Sequence, residues 1–219
     1  SKSRMIAILN CTKKKQTYSC SAKEMYSANY NFVDKLNFIE KHYGEYYIMS
    51  VKYGIITPDT IIESYNLTLS RDKVQLGNEI TYPTKEHLQW LKDNVNTFIG
   101  NNLGKQIDFH TPQLYSNLIK DKDLVRLVKQ ERTASNTTKY RKALEMDNLN
   151  DAIQYMNNFN LTPKVKETEK WFTHPELGEF YGKSYELFKI HEGRFDKGGL
   201  YQVSTGRSNQ HKGWRIKCR

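Results

Sequence analysis

This sequence has little of what a metal protein, a membrane protein or a disulfide scaffold needs. Only three cysteines occur, Cys11, Cys20 and Cys218, an odd number with no metal-like pairing. They point to a reducing, intracellular setting, and a disulfide between Cys11 and Cys20 is the weaker reading. No apolar run reaches the ~18–20 residues that span a bilayer, and no secretory signal pattern is visible. The expectation is a cytoplasmic protein with no membrane partner. There is no Walker loop, no G-x-G-x-x-G and no G-x-S-x-G. His110 and His174 stand alone and His87 falls in a helical pattern, so no spacing argues for a metal. No cofactor is implied.

Apolar residues are also scarce, at 37 % with a mean hydropathy of −0.78. Disorder is nevertheless excluded by 15 Tyr, 9 Phe and 3 Trp, because disordered chains are poor in aromatics. A length of 219 residues accommodates one domain, or one domain and a small module. The positive sign dominates: a net charge of +10 implies a polyanionic partner, with nucleic acid first. An unspecific basic surface is the bland alternative.

Two short apolar runs each empty into a polar, cationic loop. Met5–Leu9 leads into Asn10-Cys11-Thr12-Lys13-Lys14-Lys15, and Tyr46–Val51 leads into Lys52-Tyr53-Gly54 and on to Asp59. Ser21-Ala-Lys-Glu24 has the form of a capping box opening a helix to about His42. The result is a βαβ unit that brings both loops to one sheet edge, where open α/β sheets bind ligands. A short helix or ordered loop is expected over 60–65. A second helix is expected from Pro83-Thr84 to about Ile99, with Leu88, Leu91, Val95 and Phe98 or Ile99 inward. Gln106–Phe109 reads as a third strand, and Pro112 to about Phe159 as helical. A break at Asn157–Pro163 and a charged linker at Lys164–Lys170 follow. The expected units are therefore 1–110, a helical extension at 111–163, and a small basic module at 168–219.

At the sheet edge, Cys11 beside three lysines reads as a thiolate nucleophile, or as a small residue buried at a strand end. Lys13 and Lys15 grip a phosphate or supply an amine, or belong to a solvated charge run. Lys52-Tyr53-Gly54 offers a charge, a stacking face and close backbone approach in one turn. Asp59 and Glu63 share a face if their segment is helical, and either suits activation of water at a sugar C1′ carbon. Tyr65 is placed to stack on a base. The catalytic candidates are Cys11, Lys13, Lys52, Asp59 and Glu63.

The N-terminal stretch resembles a family of small bacterial and phage proteins of unassigned activity. Its pattern is C-S-K-K-K, then A-x-x-L-Y-x-S, then S-A-K-Y-G-L-x-x-P-x-x-x-I-x-x-Y. This chain reads Cys11-Thr12-Lys13-Lys14-Lys15, then Ala22 to Met25-Tyr26-Ser27, then Ser50-Val51-Lys52-Tyr53-Gly54-Ile55 with Pro58, Ile62 and Tyr65. The departures are Thr12, Met25, Val51 and Ile55, with Ser27 one place before the serine of the pattern. That family is remotely similar to the archaeosine synthase core and, by fold, to uracil-DNA glycosylases. The resemblance implies an α/β fold with a three-layer, Rossmann-like sheet and recognition of a nucleobase, or chemistry on one. Thr12, Lys15, Tyr26, Ser27, Ser50, Tyr53, Gly54 and Tyr65 are then the substrate-binding candidates.

Between Arg194 and Arg219 there are seven Lys or Arg against one Asp, a net of +6 suited to phosphate contact. The tail resembles the modular DNA-binding repeats appended to phage homing endonucleases. It shares a glycine at 178 or 182, Ser184, Glu186-Leu187, Leu200, Val203, Gly206-Arg207 and Lys212-Gly213-Trp214. Such modules are similar to helix-turn-helix units. Ser184, Tyr201, Gln202, Ser204, Thr205, Arg207, Lys212, Trp214 and Arg215 are the implied DNA contacts. Arg126, Arg132, Arg141 and Lys142 are expected to add positive surface.

The expected function is a DNA-acting enzyme of phage or mobile-element type that takes a flipped or modified base, with glycosidic-bond cleavage or base modification favoured. Double-stranded DNA is the expected partner. The alternatives are an endonuclease, against which stands the missing His-Asn-His or Gly-Ile-Tyr motif, and a non-catalytic DNA-binding effector.

Overall fold

The computed structural model describes residues 4–70, 75–76, 79–159 and 166–217. Cys218, Arg219 and residues 160–165 of the expected break and linker lie outside them. The chain forms two compact units, Ser1–Phe159 and Asn160–Arg219.

Strand β1 (Met5–Asn10) is the centre of the first unit. Its Ile6 to Leu9 run is entirely buried, the pattern of a parallel strand covered on both faces. Cys20–Ser21 forms the short β2, and helix α1 (Ala22–Tyr26) follows, with Ser21 Oγ accepting from Glu24 N at 3.3 Å. The expected single helix stops here. Asn29 accepts from Phe32 N at 3.2 Å and caps a separate helix, α2 (Tyr30–His42). A side chain that competes for backbone donors ends one helix and starts the next. Strand β3 (Glu45–Ser50) then pairs parallel with β1.

Next comes β4 (Gly54–Ile56), an antiparallel edge strand hairpinned onto β3, which the sequence reading did not anticipate. Gly54 makes that turn possible, with φ +77° and Asn94 packed so closely that a Cβ would meet its Oδ1 at 2.5 Å. Of the two alternatives at 60–65, the helix is corrected, and an ordered loop follows a short strand. Ile61–Ile62 is a strand, β5, paired with β2, so Asp59 and Glu63 share no helix face. Gln75–Leu76 (β6) and Glu79–Ile80 (β7) pair antiparallel. Helix α3 (Lys85–Asn101) is capped by Thr84 and buries Leu91, Val95 and Ile99, close to expectation.

Strand β8 (Gln106–His110) pairs parallel with β1 on the side away from β3. The continuous helix expected after Pro112 is also corrected. The segment instead holds α4 (Gln113–Ser116), a 3₁₀ turn at Lys122–Leu124, strand β9 (Arg126–Leu127), α5 (Thr133–Leu144) and α6 (Leu149–Asn157). The parallel strands thus run β3-β1-β8-β9, with β4 at the β3 edge. This is a mixed α/β fold with a mostly parallel central sheet. The strand order reverses between β1 and β8, so their carboxyl ends flank the switch point.

The helices after β8 are not a separate extension: α5 packs on α2, and Tyr140, Ala143, Ile153 and Met156 enter the same core. Arg126 is likewise corrected from free surface charge. Its Nε and Nη2 donate to Asp108 at 2.8 and 2.7 Å.

In the second unit, β10 (Lys170–His174) pairs with β11 (Gly178–Gly182) and β12 (Arg215–Ile216), all antiparallel. Helices α7 (Ser184–Ile190) and α8 (Lys197–Ser204) pack against each other, and Phe172, Leu187, Phe195, Leu200, Val203 and Trp214 form the core. Three of the implied DNA contacts belong to this interior: Ser184, Ser204 and Trp214 are buried. Gln202, Arg207, Lys212 and Arg215 are exposed, while Tyr201 and Thr205 are half-buried. Among the described residues no helix is long and apolar enough to cross a membrane.

Candidate active site at the strand switch point

A cavity of about 480 Å³ opens at the ends of β1 and β8, within the ~300–1,000 Å³ range of small-ligand sites. Asn10, Cys11, Thr12 and Lys13 form one wall, and Pro112 and Tyr115 another. Five carboxamides face it, Asn10, Asn29, Asn31, Gln130 and Asn136, together with the apolar faces of Phe32 and Leu69. Lys35 and Glu131 supply charges of opposite sign.

Lys35 projects from α2 and is 5 % exposed. Its Nζ donates to Asn10 Oδ1 at 2.6 Å and to the His110 carbonyl at 2.9 Å, tying together the last residues of the two neighbouring strands. Among the described residues no carboxylate lies within ion-pair distance of it. Burial lowers its pKa to about 7, and Lys139 pushes the same way while Cys11 opposes.

A buried hydrogen-bond chain supports the far wall. Tyr43 donates to Asp108 Oδ2 at 2.5 Å, so its oxygen must accept from His110 Nε2–H at 2.9 Å. His110 Nδ1 then accepts from Tyr140 at 2.8 Å, whose oxygen accepts from Gln130 Nε2 at 2.7 Å. Gln130 Oε1 in turn receives Asn136 Nδ2 at 3.1 Å. The chain fixes which way each carboxamide points and requires a neutral His110. Burial and the surrounding cations lower that imidazole's pKa well below its ordinary value.

Glu131 is anchored by its backbone, whose N–H donates to Asn136 Oδ1 at 2.9 Å. Its buried Oε1 lies 3.6 Å from both Lys139 and Lys129 and makes no hydrogen bond. The Glu131 carboxylate thus lines the cavity between two cations.

Beside the cavity, the two cationic loops meet around Tyr65. Its hydroxyl bonds Tyr26 at 2.7 Å and Ser50 at 2.8 Å. Lys15 Nζ sits 4.4 Å from its ring centroid and Lys52 Nζ 5.8 Å, and the Tyr53 ring packs edge-on at 5.6 Å. Burial raises the Tyr65 and Tyr26 pKa values far above the usual phenol range and lowers that of Lys15. Cys11 links the two regions, with its Sγ 3.4 Å from Tyr115 Oη at the cavity wall. Cys11 and Cys20 are buried free thiols.

The structure therefore brings Cys11, Thr12 and Lys13 to the cavity, and Lys15, Tyr26, Ser50, Lys52, Tyr53 and Tyr65 to its neighbour. Gly54 serves the β3–β4 turn, and Ser27 donates to the Lys23 carbonyl at 2.6 Å. Asp59 and Glu63 are exposed and do not line the cavity. Sequence reasoning missed Asn10, Lys35, Tyr115, Gln130, Glu131 and Asn136. Lys35 carried one readable signal, a lysine on the inward stripe between Phe32 and Leu36. Among the described residues no three His, Cys, Asp or Glu side chains group to hold a metal ion.

The residues that form α2, β3, β8 and α5, and those of β1 from Ile6 onward, lie in one matched segment, 6–146. The chain belongs to a family of unknown function, DUF6884. The DUF6884 segment contains every residue lining the cavity, whereas the second unit lies outside it. No curated protein and no solved structure matches the chain.

Proposed function

We propose that the first unit accepts a nucleobase extruded from DNA and cleaves its glycosidic bond, while the second unit holds the duplex. The observation that carries this reading is the carboxamide-lined cavity at the β1/β8 switch point. The Nδ2 groups of Asn29 and Asn31 make no hydrogen bond among the described residues and can donate to the edge of a base, and Phe32 offers it an apolar face. Glu131, at the same cavity, is the proposed base for the group that attacks C1′. Lys13 at the mouth supplies charge for a neighbouring phosphate. The fold proposed for the unit is the uracil-DNA-glycosylase-like variant of the α/β sheet.

For the second unit the proposal is a helix-turn-helix-like contact through the exposed side chains of Gln202, Arg207, Lys212 and Arg215. The net charge of +10 supports a polyanionic partner. The test is incubation of the full chain with duplex DNAs of differing base content, modified pyrimidines included, with mass analysis of the supernatant. Release of one free base supports the reading. Conversion of a base that stays in the strand would replace cleavage with base modification, and cut strands carrying every base would favour the endonuclease.

A further inference from the structure

We propose that Lys35 is a covalent nucleophile, which makes the protein a lyase that nicks the strand as well as excising the base. This inference rests on the cavity being the base-excision site. The geometry that points to it is the unusual setting of one amine. Lys35 lines the cavity from a buried position, and its two hydrogen bonds go to neutral acceptors, Asn10 Oδ1 and the His110 carbonyl. Lysines with a structural role are ordinarily paired to a carboxylate when buried. The other buried lysine shows the contrast: Lys139 has Glu131 at 3.6 Å and the ring of Phe159 beneath it. Lys35 has no such counter-charge among the described residues. Burial lowers its pKa to about 7, which makes the neutral, nucleophilic form accessible near neutral pH. The two acceptors hold Nζ at the switch point and take its N–H groups, so neither occupies the lone pair of the neutral amine.

The step balances within the site. The Nζ lone pair forms a bond to C1′ as the glycosidic bond breaks, and the electron pair of that bond leaves with the base. One amine proton ends on the departing base. The second ends on O4′ as the C1′–O4′ bond opens, which leaves a C1′=N imine. Loss of a C2′ proton to a base then forms C2′=C3′ and expels the 3′ phosphate with the C3′–O electron pair. Water hydrolyses the imine and restores the amine. Glu131, the carboxylate that lines the same cavity, is the base assigned to the C2′ proton.

The experiment uses the full chain and duplex DNA carrying one abasic site, so the identity of the excised base does not enter. Borohydride added during the incubation reduces an imine to a stable amine. The expected result is a protein–DNA adduct that peptide mapping assigns to Lys35, with strand nicking when borohydride is omitted. The adduct is expected to be lost in Lys35→Ala and in Lys35→Arg, and kept in Lys85→Ala, an exposed lysine at the start of α3 away from the cavity. Mapping on the unaltered chain needs no variant, so misfolding of Lys35→Ala does not blunt the test. An adduct on other lysines only, or none, overturns the inference. Free-base release without an adduct at Lys35 would leave the excision reading standing and defeat this one alone.

Discussion

Lys35 Nζ lies 2.6 Å from Asn10 Oδ1, so an amine in the middle of α2 is bonded to the final residue of the central strand. Burial holds its pKa at about 7 against an ordinary 10.5. The groups facing it are Cys11 at the end of β1, His110 at the end of β8, and Lys139 on α5.

The sign of the pH effect follows. Between pH 7 and 10.5 the unfolded chain keeps the Lys35 proton and the folded chain has lost it. Stability therefore rises with pH across that window, by up to about 1.4 kcal/mol per unit for this one group. Below pH 7 both states are protonated and the cost of burying the charge is fully present. Urea midpoints at pH 7 and pH 9 should show the unaltered chain gaining stability. Lys35→Met should gain less, retaining the smaller contribution of Lys139. An equal gain in both proteins would show that Lys35 is not the titrating group.

The tyrosines act in the opposite direction at higher pH. Burial raises the pKa of Tyr26, Tyr43, Tyr65, Tyr115 and Tyr140 above the usual 10. Above pH 10 the unfolded chain loses protons that the folded chain retains, so stability falls there. Absorbance of phenolate during an alkaline titration should show these five ionising only as the fold is lost. Tyr65→Phe should cost about 1–3 kcal/mol, because Tyr26 and Ser50 both lose a hydroxyl partner. Denaturant unfolding measures it.

The sequence suggests surface charge at Arg126, and its bidentate grip on a fully buried Asp108 gives a different expectation. Arg126→Ala should destabilise the first unit by about 3–5 kcal/mol, since it strands a buried carboxylate. The slope of DNA affinity against salt should change little. Loss of a whole unit of slope with stability intact would return Arg126 to the DNA-binding surface.

In the second unit the exposed and buried candidates separate cleanly. Arg207→Ala and Arg215→Ala should each reduce the log K against log[salt] slope by about 1 without altering the melting profile. Trp214→Ala should cost about 3–5 kcal/mol by opening a cavity among Phe172, Phe195 and Leu200, with DNA affinity lost only through unfolding.

What the sequence made legible was local. The two strands, the Ser21 and Thr84 caps, the apolar stripe of α3 and the meeting of the two cationic loops depend on residues close together in the chain. Tyr65, Ser50 and Tyr26 were found because a patterned segment carries them. The cavity was not legible, since its walls come from Asn10, Lys35, Tyr115 and Asn136, which only the β1/β8 pairing and the packing of α5 on α2 bring together. Asp59 and Glu63 misled because their four-residue spacing suggests a helix face, and the pairing of β5 with β2 overrides it. For Arg126 charge suggests a surface role and for Trp214 the resemblance of the tail implies one, while tertiary contacts give each an interior partner.

The most direct test of base excision is the quantity of free base released from duplex DNA by the unaltered chain, by Glu131→Gln and by Asn136→Ala, each checked for folding. The account predicts release of one base by the unaltered chain and its loss in both variants, with DNA affinity retained through the second unit. No free base from any duplex, or release that survives both substitutions, would contradict it.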